Sequence, residues 1–480
     1  MTRPQLGLPS GSQHRHSPQE SMRRGCRPLN RLCLLLAALA VTKGCGDGAA
    51  TVTPPPDPPR PTTLVVSPAT AEFSTLGASV QLTAEVRDQN GSVMTGAAVS
   101  WSSSAASVAT VDAAGLVTAV AGGAATITAM AAEASGTAEV SVIDMEWAAA
   151  FVARQHVVDV MNVGVRVDPD CIVDCERTLF PGDGRRDLGG IKEVTGIDMS
   201  MTNPGQGDYP EQFSDGRVAN VRVVRTYADI EVAQQDGDFA IMWYLQTRPA
   251  TGRWQLGGDV AALRDWYDDG LRVLQIAYGS HREDARGPDE RLGYGAGEGE
   301  ERGVTDLGQR AIAEMNRLGM VVDCSHCNRQ TTLDAAAIST QPILANHANA
   351  EALTDDPYDR NKTDEELMAV AATGGVIGVT AIRLFLDTDG DGVTGMDDMI
   401  VHIEYIASLV GIDHVGIATD TYVDGWEPSS HHYASADLAA LDRWMRLTAR
   451  LRARGWSEED LAKLLGGNFL RVFREVLPRQ

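Results

Sequence analysis

Glu-Met-Asn-Arg-Leu-Gly-Met-Val-Val-Asp-Cys-Ser-His (314–326), followed by Gln-Pro-Ile-Leu-Ala-Asn-His (341–347), decides the fold. The pair reads as a helix, a buried strand ending in His326, a second helix, and another buried strand ending in His347. Successive strands joined by a helix run parallel, so both imidazoles fall at the C-terminal tips of one sheet. That is the face on which barrel enzymes carry their chemistry, and the two rings could share one metal.

Outward from this core, residues 144–480 alternate short apolar runs with amphipathic stretches. Candidate strands cover 157–161, 221–224, 239–244, 273–277, 321–324, 343–345, 376–379 and 415–417, with helices over 260–269, 305–318 and 398–409 among the connections. Eight strands with crossover helices predict an α/β fold, a (β/α)8 TIM-like barrel. Residues 64–143 are built differently: rich in Ala, Val, Thr and Ser, alternating apolar with polar, and punctuated by turns such as Gln89-Asn90-Gly91. They predict a small all-β sandwich with Trp101 as its core aromatic. Between residues 46 and 63, Pro54-Pro55-Pro56, Pro58-Pro59 and Pro61 favour an extended spacer.

Residues 1–45 read as an export signal, with Arg23, Arg24, Arg27 and Arg31 ahead of the apolar run 32–41. The run is too short to span a bilayer as a mature helix. It ends in Thr42-Lys43-Gly44-Cys45, which resembles a bacterial lipoprotein cleavage site. Lipidation of Cys45 and plain secretion both stay open. Either outcome places the chain outside the cytoplasm, as an outer-membrane or cell-surface lipoprotein or as a secreted protein, touching membrane only through that anchor. The formal net charge of -24 repels phosphate backbones and excludes a nucleic-acid partner.

Several stretches carry a family resemblance. Gly303-Val-Thr-Asp-Leu-Gly, Met315-Asn-Arg-Leu-Gly-Met-Val-Val-Asp, Asp413-His-Val-Gly-Ile and the tail from Gly455-Trp-Ser-Glu-Glu-Asp closely resemble the membrane (renal) dipeptidase family. Val80-Gln-Leu-Thr-Ala-Glu-Val, Val99-Ser-Trp-Ser-Ser-Ser and Ala125-Thr-Ile-Thr-Ala resemble the bacterial Ig-like domain of group 2. The first resemblance implies an amidohydrolase-type barrel with a two-zinc site that hydrolyses dipeptides, tolerating a D-residue at the C-terminal position. By the same resemblance His326 and His347 hold one zinc, Arg360 receives the substrate carboxylate, and Asp420 handles the proton.

The other half of the site departs from the family pattern. Its first strand normally ends in Asp-Gly-His-x-Asp, where this chain has Met161 and Val163 in place of His and Asp. Gln246 stands for the carboxylate that bridges two metals, and Tyr278, on the substrate side, for a histidine. A neutral amide cannot hold two dications close together. One zinc is therefore expected on His326 and His347, with Asp420, Gln246 or Cys324 as third ligand; two zincs, or a catalytically inactive binding lipoprotein, are the alternatives. A small peptide is the expected partner, and a homodimer stays open.

Two signals lie outside that pattern. Cys171, Cys175, Cys324 and Cys327 allow three disulfide pairings, with local Cys171-Cys175 closure the default. Asp387, Asp389 and Asp391, with Gly392 next, Val393 at the seventh place and Asp398 at the twelfth, match the spacing of a calcium loop.

Overall fold

The computed structural model describes residues 57–160, 186–187, 195–202, 218–246, 255–279, 290–299, 301–354, 356, 358–420, 437–438 and 440–479. Met161, Val163, Cys45, Cys171, Cys175 and the export and linker segments up to residue 56 lie outside them.

The N-terminal part is the expected sandwich. A four-stranded sheet runs Thr70–Phe73, Ala134–Val142, Gly123–Ala131, Ser100–Ser103, and a three-stranded sheet runs Ser79–Gln81, Leu116–Ala119, Ala109–Val111. Pro61–Ser67 pairs with Thr83–Asp88. Alternate residues of Gly123–Ala131 are buried, which places Ala125, Ile127 and Ala129 in a core with Leu82, Val117 and Val142. Trp101 lies against this core rather than within it. Its ring fits there because position 115 is glycine: with φ +85, any Cβ would approach Trp101 to 2.9 Å.

The C-terminal part is a near-closed barrel of eight parallel strands in the order Val157–Asp159, Ile197–Thr202, Phe239–Gln246, Leu271–Gln275, Val321–Asp323, Leu344–Ala345, Val376–Thr380 and Val415–Ala418. One expectation needs correcting. Val221–Val224 is a strand, but it pairs with the first half of Phe239–Gln246 off the ring path, and the second ring strand is Ile197–Thr202. Its run Ile-Asp-Met-Ser-Met-Thr looks half-polar, yet Asp198 and Ser200 are buried. Asp198 accepts the Val157 N–H at 2.9 Å, so the polar residue is used inside the ring.

Strand alternation divides the core. Met199, Met201, Ala240, Met242, Tyr244, Val273, Val321, Leu344 and Val376 form an inner cluster with Phe469 and Phe473 of the helix Asn468–Val476. Ile241, Trp243, Leu274, Val322, Ile343, Ile377 and Ile417 belong to the cluster under the surrounding helices. Gly416 has no side chain because Phe469 occupies that space.

Between the first and last ring strands, side chains make the closure. The Asp159 carboxylate accepts the Thr419 N–H at 2.8 Å and the Thr419 hydroxyl at 2.7 Å, and Arg443 stands 3.9 Å away. All three residues are fully buried. Replacing Asp159 by Ala takes the acceptor from the Thr419 N–H and hydroxyl and removes a carboxylate beside the buried Arg443 guanidinium, at a cost of about 3–5 kcal/mol in unfolding free energy by urea titration. A loss under about 1 kcal/mol would show that the ring is closed by other means.

Candidate metal centre

His326 follows the strand Val321–Asp323 and His347 follows Leu344–Ala345, two neighbours in the ring. Both rings are buried, and their Nε2 atoms lie 3.1 Å apart. The opposite ring nitrogens face oxygen: His326 Nδ1 lies 3.3 Å from the Gly279 carbonyl, and His347 Nδ1 contacts Asn346 Oδ1. Such oxygens only accept, so the tautomers that suit them carry the proton on Nδ1, and in that form each neutral ring turns an unprotonated Nε2 toward the other. Two lone pairs at that separation repel unless a cation lies between them or one of the two nitrogens carries a proton. Two nitrogens about 2.05 Å from one tetrahedral metal sit about 3.3 Å apart, close to what is found. Burial, and then the charge of Arg360, push both imidazole pKa values well below the usual range, which keeps the ligand form.

A polar lattice beneath the rings fixes them. Asp323 Oδ1 accepts the Ser325 hydroxyl at 2.7 Å and the Asn346 N–H at 2.9 Å, while the Tyr244 hydroxyl, with one proton to share, lies 3.0 Å from Asp323 Oδ2 and 2.5 Å from Gln275 Oε1. Ser325 Oγ in turn accepts the His347 N–H at 3.1 Å. Burial raises the Asp323 pKa, and burial with Asp323 alongside raises that of Tyr244. Of these residues only the imidazoles stood out by spacing; Tyr244, Gln275, Ser325 and Asn346 act through cross-strand register, and the inward alternation of Asp323 was the one available signal.

The remaining expected residues gather at the same mouth. Tyr278 stacks on His326 with ring centroids 4.2 Å apart and planes 17° off parallel. Gln246 hydrogen-bonds the Tyr244 phenol, and Asp420 acts electrostatically on both Tyr244 and Arg360. Asp420 has φ +53, a left-handed conformation that Asp tolerates better than most L-residues. Arg360 is already engaged: Nη1 donates to the Ser325 carbonyl and Nη2 to that of His347 at 3.2 Å, tying the two histidine-bearing segments together. Its Nε is buried without a hydrogen-bond partner among the described residues.

Cys324 does not turn toward the metal position. Val321 and Asp323 point inward, so alternation sends Cys324 outward into the helix-facing cluster, and the turn closed by Cys327 N–H to Cys324 O at 3.0 Å brings His326 back. The Cys324 thiol hydrogen-bonds Cys327 instead, and both are free. Among the described residues no Asp, Glu, Cys or third His joins the two imidazoles, so Asp420 is not a third ligand in this arrangement either.

In the acidic loop, carboxylates of Asp387, Asp389 and Asp391 lie within 4.8 Å of one another. Asp398 does not join them. It accepts from Thr388 and from the Gly395 N–H at 2.9 Å, capping the helix Met396–Val410. Val393 is 73% exposed.

Comparison with known proteins follows this geometry. Residues 211–478 match the family described as Membrane dipeptidase (Peptidase family M19), and residues 62–142 match the Bacterial Ig-like domain (group 2). The uncharacterized protein in pqqA 5'region of Klebsiella pneumoniae is 32% identical over 258 residues, 53% of this chain and 89% of that protein. Dipeptidase aclJ of Aspergillus oryzae is 29% identical over 228 residues, 47% of this chain; the chain spans 50% of that relative's length. A solved metallo peptidase from Rhodobacter sphaeroides, liganded with a phosphinate mimic of the dipeptide L-Ala-D-Ala, superposes with TM-score 0.51 at 22% identity, covering 67% of this chain and 99% of that one, a likeness of fold.

His402, on the helix behind this site, accepts the Ala350 N–H at 3.2 Å, and burial lowers its pKa to about 4. The unfolded chain, with histidine near 6.5, takes up that proton first, so the contribution is whole above about pH 6.5 and is lost as pH falls toward 4. Denaturant unfolding should show His402→Gln sparing the protein about 3 kcal/mol of its acid loss between about pH 7 and 4. Parallel pH profiles for variant and wild type would contradict this.

Proposed function

We propose that this chain, which belongs to the membrane dipeptidase family (peptidase family M19), hydrolyses dipeptides outside the cytoplasm with one metal ion held by His326 and His347. The observation that carries the reading is the convergence of the two buried Nε2 atoms to 3.1 Å. The donor set fits one zinc and does not fit two: Gln246 offers no charge, and the Tyr278 ring packs against His326. Gln246 is the protein's candidate third ligand, held in place by Tyr244. When bound, such a metal polarises a carbonyl and makes water nucleophilic at neutral pH.

The chain's own residues supply the rest. Arg360 presents its unspent Nε–H and a neighbouring N–H as a fork for the substrate carboxylate. Asp420 stands within electrostatic range of that guanidinium and of Tyr244, where it carries a proton to the leaving amine. Tyr278 lines the mouth beside the substrate. That the Rhodobacter enzyme binds a mimic of L-Ala-D-Ala supports substrates with a D-residue at the C-terminal position.

The division into signal 1–45, linker 46–63, Ig-like domain 64–143 and barrel 144–480 belongs to the same proposal, with Cys45 as lipid anchor. So does calcium at Asp387, Asp389, Asp391 and the Val393 carbonyl, weakened while Asp398 caps its helix. Slower hydrogen exchange over 387–398 on adding calcium supports it; unchanged exchange leaves an acidic turn.

Elemental analysis of the full chain, with a chelator-treated assay on L,L and L,D dipeptides, tests the main reading. About one zinc per chain is expected, with activity lost to chelator and reduced at least about 100-fold by His326→Ala. The absence of an acidic third ligand favours one rival, a binding protein without turnover. Dipeptide binding with no metal and no hydrolysis would establish that rival.

A further inference from the structure

Asn346 sits at the one point where the two states of His347 are decided. It is fully buried, and its side-chain oxygen faces both His347 Nδ1 and Ser325 Oγ, the latter at 2.8 Å. Its Nδ2 is buried with no hydrogen-bond partner among the described residues. Rotation of the amide exchanges its two ends, and would let Nδ2 donate to both Ser325 Oγ and the imidazole. Rotation has a consequence at the other end of the ring. A donor facing Nδ1 makes that nitrogen an acceptor, so the proton of the neutral imidazole moves to Nε2, 3.1 Å from His326 Nε2. The two rings would then hydrogen-bond each other across the place where a cation would go.

We propose that Asn346 is a positioning residue whose amide selects between a metal-ready and a metal-closed tautomer of His347. With Oδ1 toward the ring, both Nε2 lone pairs are open; with Nδ2 toward it, the pair closes on its own proton. The selection is specific to zinc-like dications that take neutral imidazole, and it rests on the metal reading above. Ser325 takes part in the choice: its single proton serves either the Asp323 carboxylate at 2.7 Å or Asn346 Oδ1 at 2.8 Å, the second holding the amide in the metal-ready orientation.

The test is zinc affinity of the full chain, measured by competition with a chromophoric chelator, for wild type, Asn346→Asp and Asn346→Leu. A carboxylate can only accept from Nδ1 and holds the ring metal-ready, so Asn346→Asp should bind zinc at least as tightly as wild type. Asn346→Leu, of similar size, gives no selection and should bind about 10–100-fold more weakly. Histidine nitrogen NMR on the zinc-loaded wild type, which needs no variant, should find the His347 proton on Nδ1. Equal affinities in wild type and Asn346→Leu, or a metal-bound His347 Nδ1, overturn the selector and leave the metal reading standing. A wild-type chain that takes up no zinc overturns both.

Discussion

Two neutral imidazoles cannot rest with their lone pairs aimed at each other inside a protein, and much of the barrel mouth is arranged around that constraint. A cation, or a proton on one of the two nitrogens, relieves the repulsion, and the surroundings keep the rings neutral and pointed. Burial disfavours imidazolium, and Arg360 reinforces the bias through its charge. The same guanidinium bonds the backbone carbonyls of Ser325 and His347, so the group that keeps the rings neutral also fixes their spacing. Asp323 anchors the lattice from below by accepting from Ser325, Asn346 and Tyr244.

The barrel explains why these residues meet. Parallel strands deliver their C-terminal ends to one rim, and the helix Asn468–Val476 packs its phenylalanines into the inner cluster that carries the other strand ends. Closure depends on a buried polar contact, Asp159 with Thr419, one residue before Asp420. Asp420, with its left-handed backbone, directly follows a residue bonded to the first strand, and its charge acts on Arg360. Fold stability and site geometry share these atoms.

The fold class was legible in the sequence because helix-spaced and strand-spaced apolar runs alternate through 144–480, and His326 and His347 were legible because each ends such a run. What failed to show were features set by long-range pairing. Ile197–Thr202 reads as half-polar, and its burial depends on Asp198 meeting the Val157 backbone 41 positions away. Cys324 was placed on the histidine's face by counting two residues, but alternation turns Cys324 outward and the chain turns directly after it, so the count does not carry across to His326. Asp398 has the right spacing for a calcium ligand, yet a helix N-terminus competes for the same carboxylate. Gln246 and Tyr278 could be singled out only through family resemblance, since nothing in their local pattern marks a site. The lattice of Tyr244, Gln275, Ser325 and Asn346 is invisible to spacing, because it exists only once four neighbouring strands are in register.

X-ray absorption at the zinc edge of the purified full chain bears most directly on this account. It predicts a single zinc with two imidazole nitrogens at about 2.0–2.1 Å, light-atom ligands in the remaining positions, no sulfur and no metal–metal scattering. A metal–metal vector, a sulfur shell, or a zinc without imidazole would contradict it.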